Sequence, residues 1–305
     1  GRFITRNGVD ALGVANVEEG IELRKAGIDA PILITNNSFS GSSEDIVHYN
    51  LTPMVSSSDF ADEIACCCQK EQKNSQIHIR VDTSSSNLGV QPEDLRDLLK
   101  EIKNKNNLSV GGFFTHLVST YMGEKREIAA EIELFKELIM LFGEEGLDIP
   151  EVHACSSPGI FRFYETGFSM VRTGTGMYGL PSFKGQNTEE LEPVMQLKTR
   201  ILDICSKNRN STRGYTGDIP LNNSVRTALI PVGYGHVPYL MFMKDGEVLV
   251  NGTRVPVIGE VFMGHMIIDI TQVPQAGVGD EVVVFGSQQH QSIGVEEVAE
   301  KCGIA

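Results

Sequence analysis

The sequence predicts a TIM-like α/β barrel with its first strand missing, followed by a mainly antiparallel β domain. Three observations carry this. Before about residue 185, short apolar runs alternate with longer amphipathic ones, the pattern of parallel strands joined by crossover helices. After Pro193 the apolar runs crowd together and are separated by Gly, Asn and Asp, which suits antiparallel strands joined by turns. Between the two, Phe183–Glu192 is polar and reads as a linker. The expected domains are 1–188 and 189–305.

In the first part, strands are expected at Ala11–Ala15, Pro31–Thr35, Pro53–Ser56, Ile77–Asp82, Val110–Leu117, Glu151–Cys155 and Met170–Arg172. Helices are expected at Val17–Ala26, Glu44–Tyr49, Ser57–Glu71, Gln91–Lys103, Arg126–Phe142 and Pro158–Tyr164. Gln91-Pro92-Glu93 reads as a helix start, with proline in the first turn. A closed barrel needs eight strands and these are one short. Arg2-Phe3-Ile4 reads as part of a helix, so the strand before it is the one expected to be absent. In the second part, strands are expected at Met195–Ile204, Thr227–Val232, Val248–Val250, Arg254–Val261, Met266–Ile270 and Glu281–Phe285. Asp245-Gly246 and Asn251-Gly252 are hairpin signals.

A net charge of −14 argues against nucleic acid or an anionic membrane as partner. The cysteines stand at 66, 67, 68, 155, 205 and 302. Three are consecutive within a helical pattern, a poor disulfide framework, and none forms a CxxC pair. Reduced structural thiols, a cytoplasmic location and no metal site are expected.

The chemistry concentrates at Ser169–Gly179, SMVRTGTGMYG. An apolar run delivers Arg172 into a glycine-spaced loop. A buried arginine is costly unless an acceptor or anion meets it, and Gly174 and Gly176 let backbone N–H groups approach a ligand. Other expected strand ends add His116, Ser156-Ser157 and Thr83–Gly89; the second domain adds VGYGH at 232–236 and FMGH at 262–265. Hydroxyls, a histidine, an arginine and glycines suit an anionic cofactor better than a hydrolytic site. His78, Arg80 and Asp82 alternate with Ile77, Ile79 and Val81, placing a polar ladder on one face; it reads as support for that cofactor. Each residue also has a packing reading: Arg172 paired with Asp82, His116 satisfied in the core, Tyr234 or Met263 packed, Ser157 capping a helix, His153 structural.

The chain resembles the alanine racemases, pyridoxal-phosphate (PLP) enzymes with a barrel and a C-terminal β domain. LGVANVEEGIELRKAGIDAPILI, FFTHL, VHACSS, MVRTGTGMYGL, IPVGYG and VIGEVFMGHMIID follow in that family's order over nearly the whole chain. The resemblance implies interconversion of L- and D-alanine by two bases on opposite faces. Tyr234 would be one base, with His116 against the cofactor ring orienting it. Arg172 would face the pyridine nitrogen; arginine stays charged and does not readily give up a proton, which favours racemisation over transamination. Ser157, Gly174 and Thr175 would bind the phosphate, and Asn87 stands where the family has a loop arginine near the ring oxygen. Met263 would offer its N–H to the substrate carboxylate across a head-to-tail homodimer interface.

The resemblance also implies parts this sequence does not include: a first strand ending in the Schiff-base lysine, and a tail tyrosine at the phosphate. Both ends therefore read as cut, and near-zero racemisation is expected of the chain as given. Arg80 replaces a lysine often carbamylated in the family, and its fixed charge is expected to take over some of that support. Ser156 replaces an asparagine, His236-Val237 an Asp-Gly, and Phe262-Met263-Gly264 a Cys-Met-Asp. A racemase for serine or another small amino acid, and a non-catalytic racemase-like fold, are the alternatives.

Overall fold

The computed structural model describes residues 1–36, 38, 41–84, 88–163, 167–183, 186, 191–207 and 225–304. They form two compact units, Gly1–Leu191 and Glu192–Ala305.

The first unit opens with a short helix α1 (Arg2–Arg6) and then alternates: β1 (Leu12–Val14), α2 (Val17–Lys25), β2 (Ile32–Ile34), α3 (Ser43–His48), β3 (Met54–Val55), α4 (Ser58–Glu71), β4 (Ser75–Arg80), α5 (Leu95–Lys103), β5 (Leu108–Phe114), α6 (Ser119–Met122), α7 (Lys125–Glu144), β6 (Glu151–His153) and α8 (Ser157–Phe163). Several helices start on caps that satisfy free N–H groups. Asn16 accepts from the Glu19 N–H and Ser57 from that of Phe60, while Glu124 and Glu127 form a capping box.

Each strand lies parallel to its sequence neighbour. β1 pairs β2, a bridge from Leu33 to Thr52 carries the run on to β3, and β3, β4, β5 and β6 follow in order. This is the wall of an α/β barrel. The helices cover its outside. On α7, Ile128, Ile132, Phe135, Leu138 and Phe142 are buried, a helical stripe facing the sheet. Phe113 of β5 stacks on Phe135 with centroids 4.9 Å apart. Phe114 therefore points the other way, into the barrel.

Two expectations change here. Gln91-Pro92-Glu93 is a turn, and α5 begins only at Leu95. Met170–Arg172 is not a full strand. Met170 N–H donates to Val152 and Arg172 N–H to Cys155, at 3.2 and 2.9 Å, but Val171 is exposed and the glycines that follow end the ladder.

The second unit contains β7 (Leu197–Arg200), β8 (Asp203–Lys207), β9 (Val225–Ile230), β10 (Glu247–Val250), β11 (Thr253–Pro256), β12 (Met266–Asp269), β13 (Glu281–Gln288), β14 (Gln291–Ile293) and α9 (Val295–Lys301). One sheet runs β11-β10-β13-β14, with β7 also on β13; the other runs β12-β9-β8. All the pairings are antiparallel. The expected strand Met195–Ile204 is two strands in different sheets. The chain crosses at Ile201 and Leu202, whose N–H groups donate to Asp280 and Leu229 respectively.

Asn251-Gly252 joins β10 to β11 as a two-residue hairpin, with φ of 49° and 74°. Asp245-Gly246 does not make a hairpin. It follows a 3₁₀ turn at Pro238–Phe242 and leads into β10 with no strand before it to pair. β14 and α9 were not expected: QSI carries one apolar residue, and α9 has only Val298 buried.

Candidate active site

A cavity of about 630 Å³ opens where the strands of the first unit end. Its wall includes Gly13 of β1, Thr35 after β2, Arg80 at the end of β4, Phe114 at the end of β5, Ser156 and Ser157 after β6, and Arg172–Thr175. Parallel strands place their following loops at one end, so residues distant in sequence converge there.

Arg172 is brought in as the sequence suggested, but not with Asp82. It donates to Nδ1 of His153 at 2.7 Å, to the Thr115 carbonyl at 2.8 Å and to the Ala154 carbonyl at 3.3 Å. Burial, and then the nearby Arg80, push its guanidinium down to about 10, so it remains a cation at neutral pH. Among the described residues of the wall, the charged side chains are Arg80 and Arg172, and none is a carboxylate or a lysine. In a chain of net charge −14, this is a local inversion of sign that favours an anionic guest.

His116 lines the same wall, its ring 5.8 Å from that of Tyr121. Burial and the charges of Arg172 and Arg80 lower it to about 4, so a neutral imidazole faces the cavity. Tyr121, also on the wall, was missed in the sequence; it sits on the four-residue α6, too short to show a periodicity.

Ser157 is placed on the wall in a role other than helix capping. Ser156 holds the cap position of α8, its carbonyl accepting from Ile160 at 2.9 Å. The Ser157 hydroxyl accepts instead from the Gly174 and Gly176 N–H groups at 2.8 and 3.2 Å. With its lone pairs so used, its proton remains to be donated. The Ser156 hydroxyl is buried with no hydrogen-bond partner among the described residues, a costly state that an acceptor oxygen would relieve. Thr175 lines the cavity beside them, its hydroxyl 2.8 Å from that of Ser182. Two serine hydroxyls at the start of α8, against a glycine loop that carries Arg172 into the same wall, fit a phosphate-bearing group. Asn87 lies outside the described residues.

The polar ladder of β4 splits by task. His78 is buried, with Nδ1 3.0 Å from Nε2 of His153, and its own Nε2 is 3.6 Å from the Glu151 carboxylate. Gly112 on β5 makes room for it: a Cβ there would stand 2.5 Å from the imidazole. Burial first, and Arg172 second, lower His78 to about 4 and His153 to about 2. Arg80 turns to the cavity. Asp82 accepts from the Ser84 N–H at 3.1 Å.

The second unit brings Tyr234 and Met263 onto two interlocked loops. The Tyr234 N–H donates to Phe262 and that of Gly235 to Met263, at 3.0 and 2.7 Å. Gly233 is required by this approach, since a Cβ would fall 2.0 Å from the Phe262 carbonyl oxygen. Met263 is exposed, and a Cβ on Gly264 would meet nothing within 4 Å. Cys67 and Cys68 are buried in α4 packing while Cys66 is exposed. Lys125 is exposed on the first turn of α7 and does not line the cavity.

Fold and cavity together define a two-domain protein, a parallel α/β barrel with a cationic cavity at its strand ends and an antiparallel β domain. Residues 2–182 match the family model for the alanine racemase N-terminal domain, and residues 194–305 the model for the C-terminal domain. The chain belongs to the alanine racemase family, a family of isomerases. It is 32% identical to the alanine racemase of Halothermothrix orenii and 33% identical to that of Methanococcus maripaludis, covering 98% and 99% of this chain and 79% and 82% of those proteins. Among solved structures, alanine racemase from Clostridium difficile 630 is similar with a TM-score of 0.93 at 26% identity, covering 99% of this chain and 79% of that one. The Bacillus anthracis alanine racemase with bound L-Ala-P is similar with a TM-score of 0.87 at 27% identity, covering 99% and 78%. No helix among the described residues is long and apolar enough to cross a membrane.

Proposed function

We propose that the first unit holds pyridoxal phosphate in its cavity and that the chain's residues serve the interconversion of L- and D-alanine. The observation that carries this is the pairing of Arg172, whose acceptors are an imidazole and two carbonyls, with the donor hydroxyls of Ser156 and Ser157. Ser157 and Thr175 bind the phosphate, and the Gly174 N–H, held by the Ser157 hydroxyl, fixes the loop beside them. Arg172 faces the ring nitrogen and, holding its protons tightly, keeps that nitrogen unprotonated. His116 packs against the ring as a neutral imidazole. The cofactor, when bound, supplies the electron withdrawal that acidifies the amino acid's Cα–H. Tyr234 takes or returns the proton at Cα; a free tyrosine near pKa 10 needs a cationic environment to do so near neutrality. The Met263 N–H binds the substrate carboxylate, and the chain works as a head-to-tail homodimer in the cytoplasm.

The test is the absorbance of the chain with pyridoxal phosphate, before and after borohydride, together with NMR of alanine in D2O. Binding with loss of the Cα–H signal supports the assignment. No binding removes it. A second reading is a racemase fold that holds the cofactor without turnover. Bound cofactor that borohydride leaves removable by dialysis, with the Cα–H signal unchanged, selects it. The departures at Asn87, His236 and Gly264 favour testing serine beside alanine.

A further inference from the structure

Arg80 is 6% exposed, and its Nη1 donates to the Thr35 carbonyl at 3.1 Å. Its Nε is buried, and neither Nε nor Nη2 finds an acceptor among the described residues. These two groups form one edge of the guanidinium fork, the edge that meets an oxyanion side-on. An unpaired buried N–H is expensive, yet this one lies on a side chain that lines the cavity. The Arg80 guanidinium also lies 5.8 Å from the centroid of the Phe114 ring, and that of Arg172 lies 5.2 Å from the same ring. Two cations thus approach one aromatic ring.

We propose that the Nε–Nη2 edge of Arg80 binds the ionised ring hydroxyl of pyridoxal phosphate. The inference rests on the cofactor reading above. In that reading the serines account for the phosphate and Arg172 for the ring nitrogen. The ring hydroxyl is the acidic oxygen left over. Because Arg172 leaves the nitrogen unprotonated, the phenolate charge has no compensation within the ring, and a second cation must supply it.

The test uses 4-deoxypyridoxine 5′-phosphate, which lacks the aldehyde and so binds without covalent attachment. Its absorbance distinguishes phenol from phenolate. The wild-type chain is expected to bind it as phenolate, and about ten- to a hundredfold more tightly than the counterpart with hydrogen in place of the ring hydroxyl. That comparison needs no mutant to fold. Arg80→Gln is expected to raise the bound hydroxyl's apparent pKa by about one unit or more, with Arg80→Lys between. Equal affinity for the two probes in the wild type, or an unchanged ionisation in Arg80→Gln, overturns the proposal and leaves Arg80 a structural partner of Thr35 and Phe114. Loss of alanine binding in Arg80→Gln with the probe's ionisation unchanged assigns the edge to the substrate carboxylate and overturns it too. Failure of the wild type to bind either probe removes the cofactor reading itself, and the proposal with it.

Discussion

Arg172 donates a 2.7 Å hydrogen bond to Nδ1 of His153, and this one contact sets the protonation of two buried rings. Arginine has no acceptor, so His153 Nδ1 must be bare and its proton must sit on Nε2. That proton points at Nδ1 of His78, 3.0 Å away. The His78 proton then lies on Nε2, toward Glu151. Long-range nitrogen–proton NMR should show both rings neutral and protonated on Nε2 at pH 7. A protonated Nδ1 on His153 would break the chain of reasoning at its first link.

The same rings make the fold sensitive to acid. His78 titrates near 4 in the folded protein and near 6.5 when unfolded. Its folded value is depressed, so the unfolded state binds more protons between the two. Stability is then full above about pH 6.5 and is lost as pH falls toward 4. His78 alone accounts for up to about 3 kcal/mol, and His153, lowered further, acts in the same direction. Urea unfolding of the chain should give a midpoint that drops steadily between pH 7 and pH 5. A flat profile over that window would mean the imidazoles are solvated.

Gly112 is the space in which the His78 ring stands, because an added Cβ would come within 2.5 Å of it. Gly112→Ala should cost about 1–3 kcal/mol, as overpacking does in a close-packed interior. A denaturation midpoint like that of the unsubstituted chain would show that the ring can move aside.

The two serines should part company when changed singly. Ser156→Ala removes a buried hydroxyl that has no partner among the described residues, so stability should be unchanged or slightly raised, while affinity for pyridoxal phosphate falls. Ser157→Ala leaves the Gly174 and Gly176 N–H groups without their acceptor. It should lower both affinity and stability, the latter by about 1–2 kcal/mol. Thermal melts with and without the cofactor separate the cases; identical behaviour of the two variants would argue against separate roles.

Much of this was legible in the sequence because parallel barrel strands advertise themselves. Ile77, Ile79 and Val81 alternate with His78, Arg80 and Asp82, and the structure puts the first set against helices while His78 and Arg80 turn to the barrel interior and cavity. Arg172 stood out as a charge in an apolar run beside glycines. What stayed hidden depends on contacts between distant segments. Nothing local in GGFF says that Gly112 accommodates a ring 34 residues earlier, in register with it. Nor does SSPG say which serine caps and which turns to Gly174. The split of Met195–Ile204 was equally invisible, since the strand pattern continues while the partner sheet changes at Leu202.

The two units differ in how far apart in the chain their paired strands lie. In the second, Val250 faces Thr253 and Gln288 faces Gln291, so some pairings close within a single turn. In the first, Phe114 must find His153 across α6 and α7, and the pairings there generally wait for a crossover to fold. Loop closure over such distances slows folding. The segment a ribosome releases first is therefore the slower to finish, with its growing sheet edge open to other chains in the meantime. Yield of soluble protein should depend on translation speed and chaperone supply through the barrel rather than through the β domain.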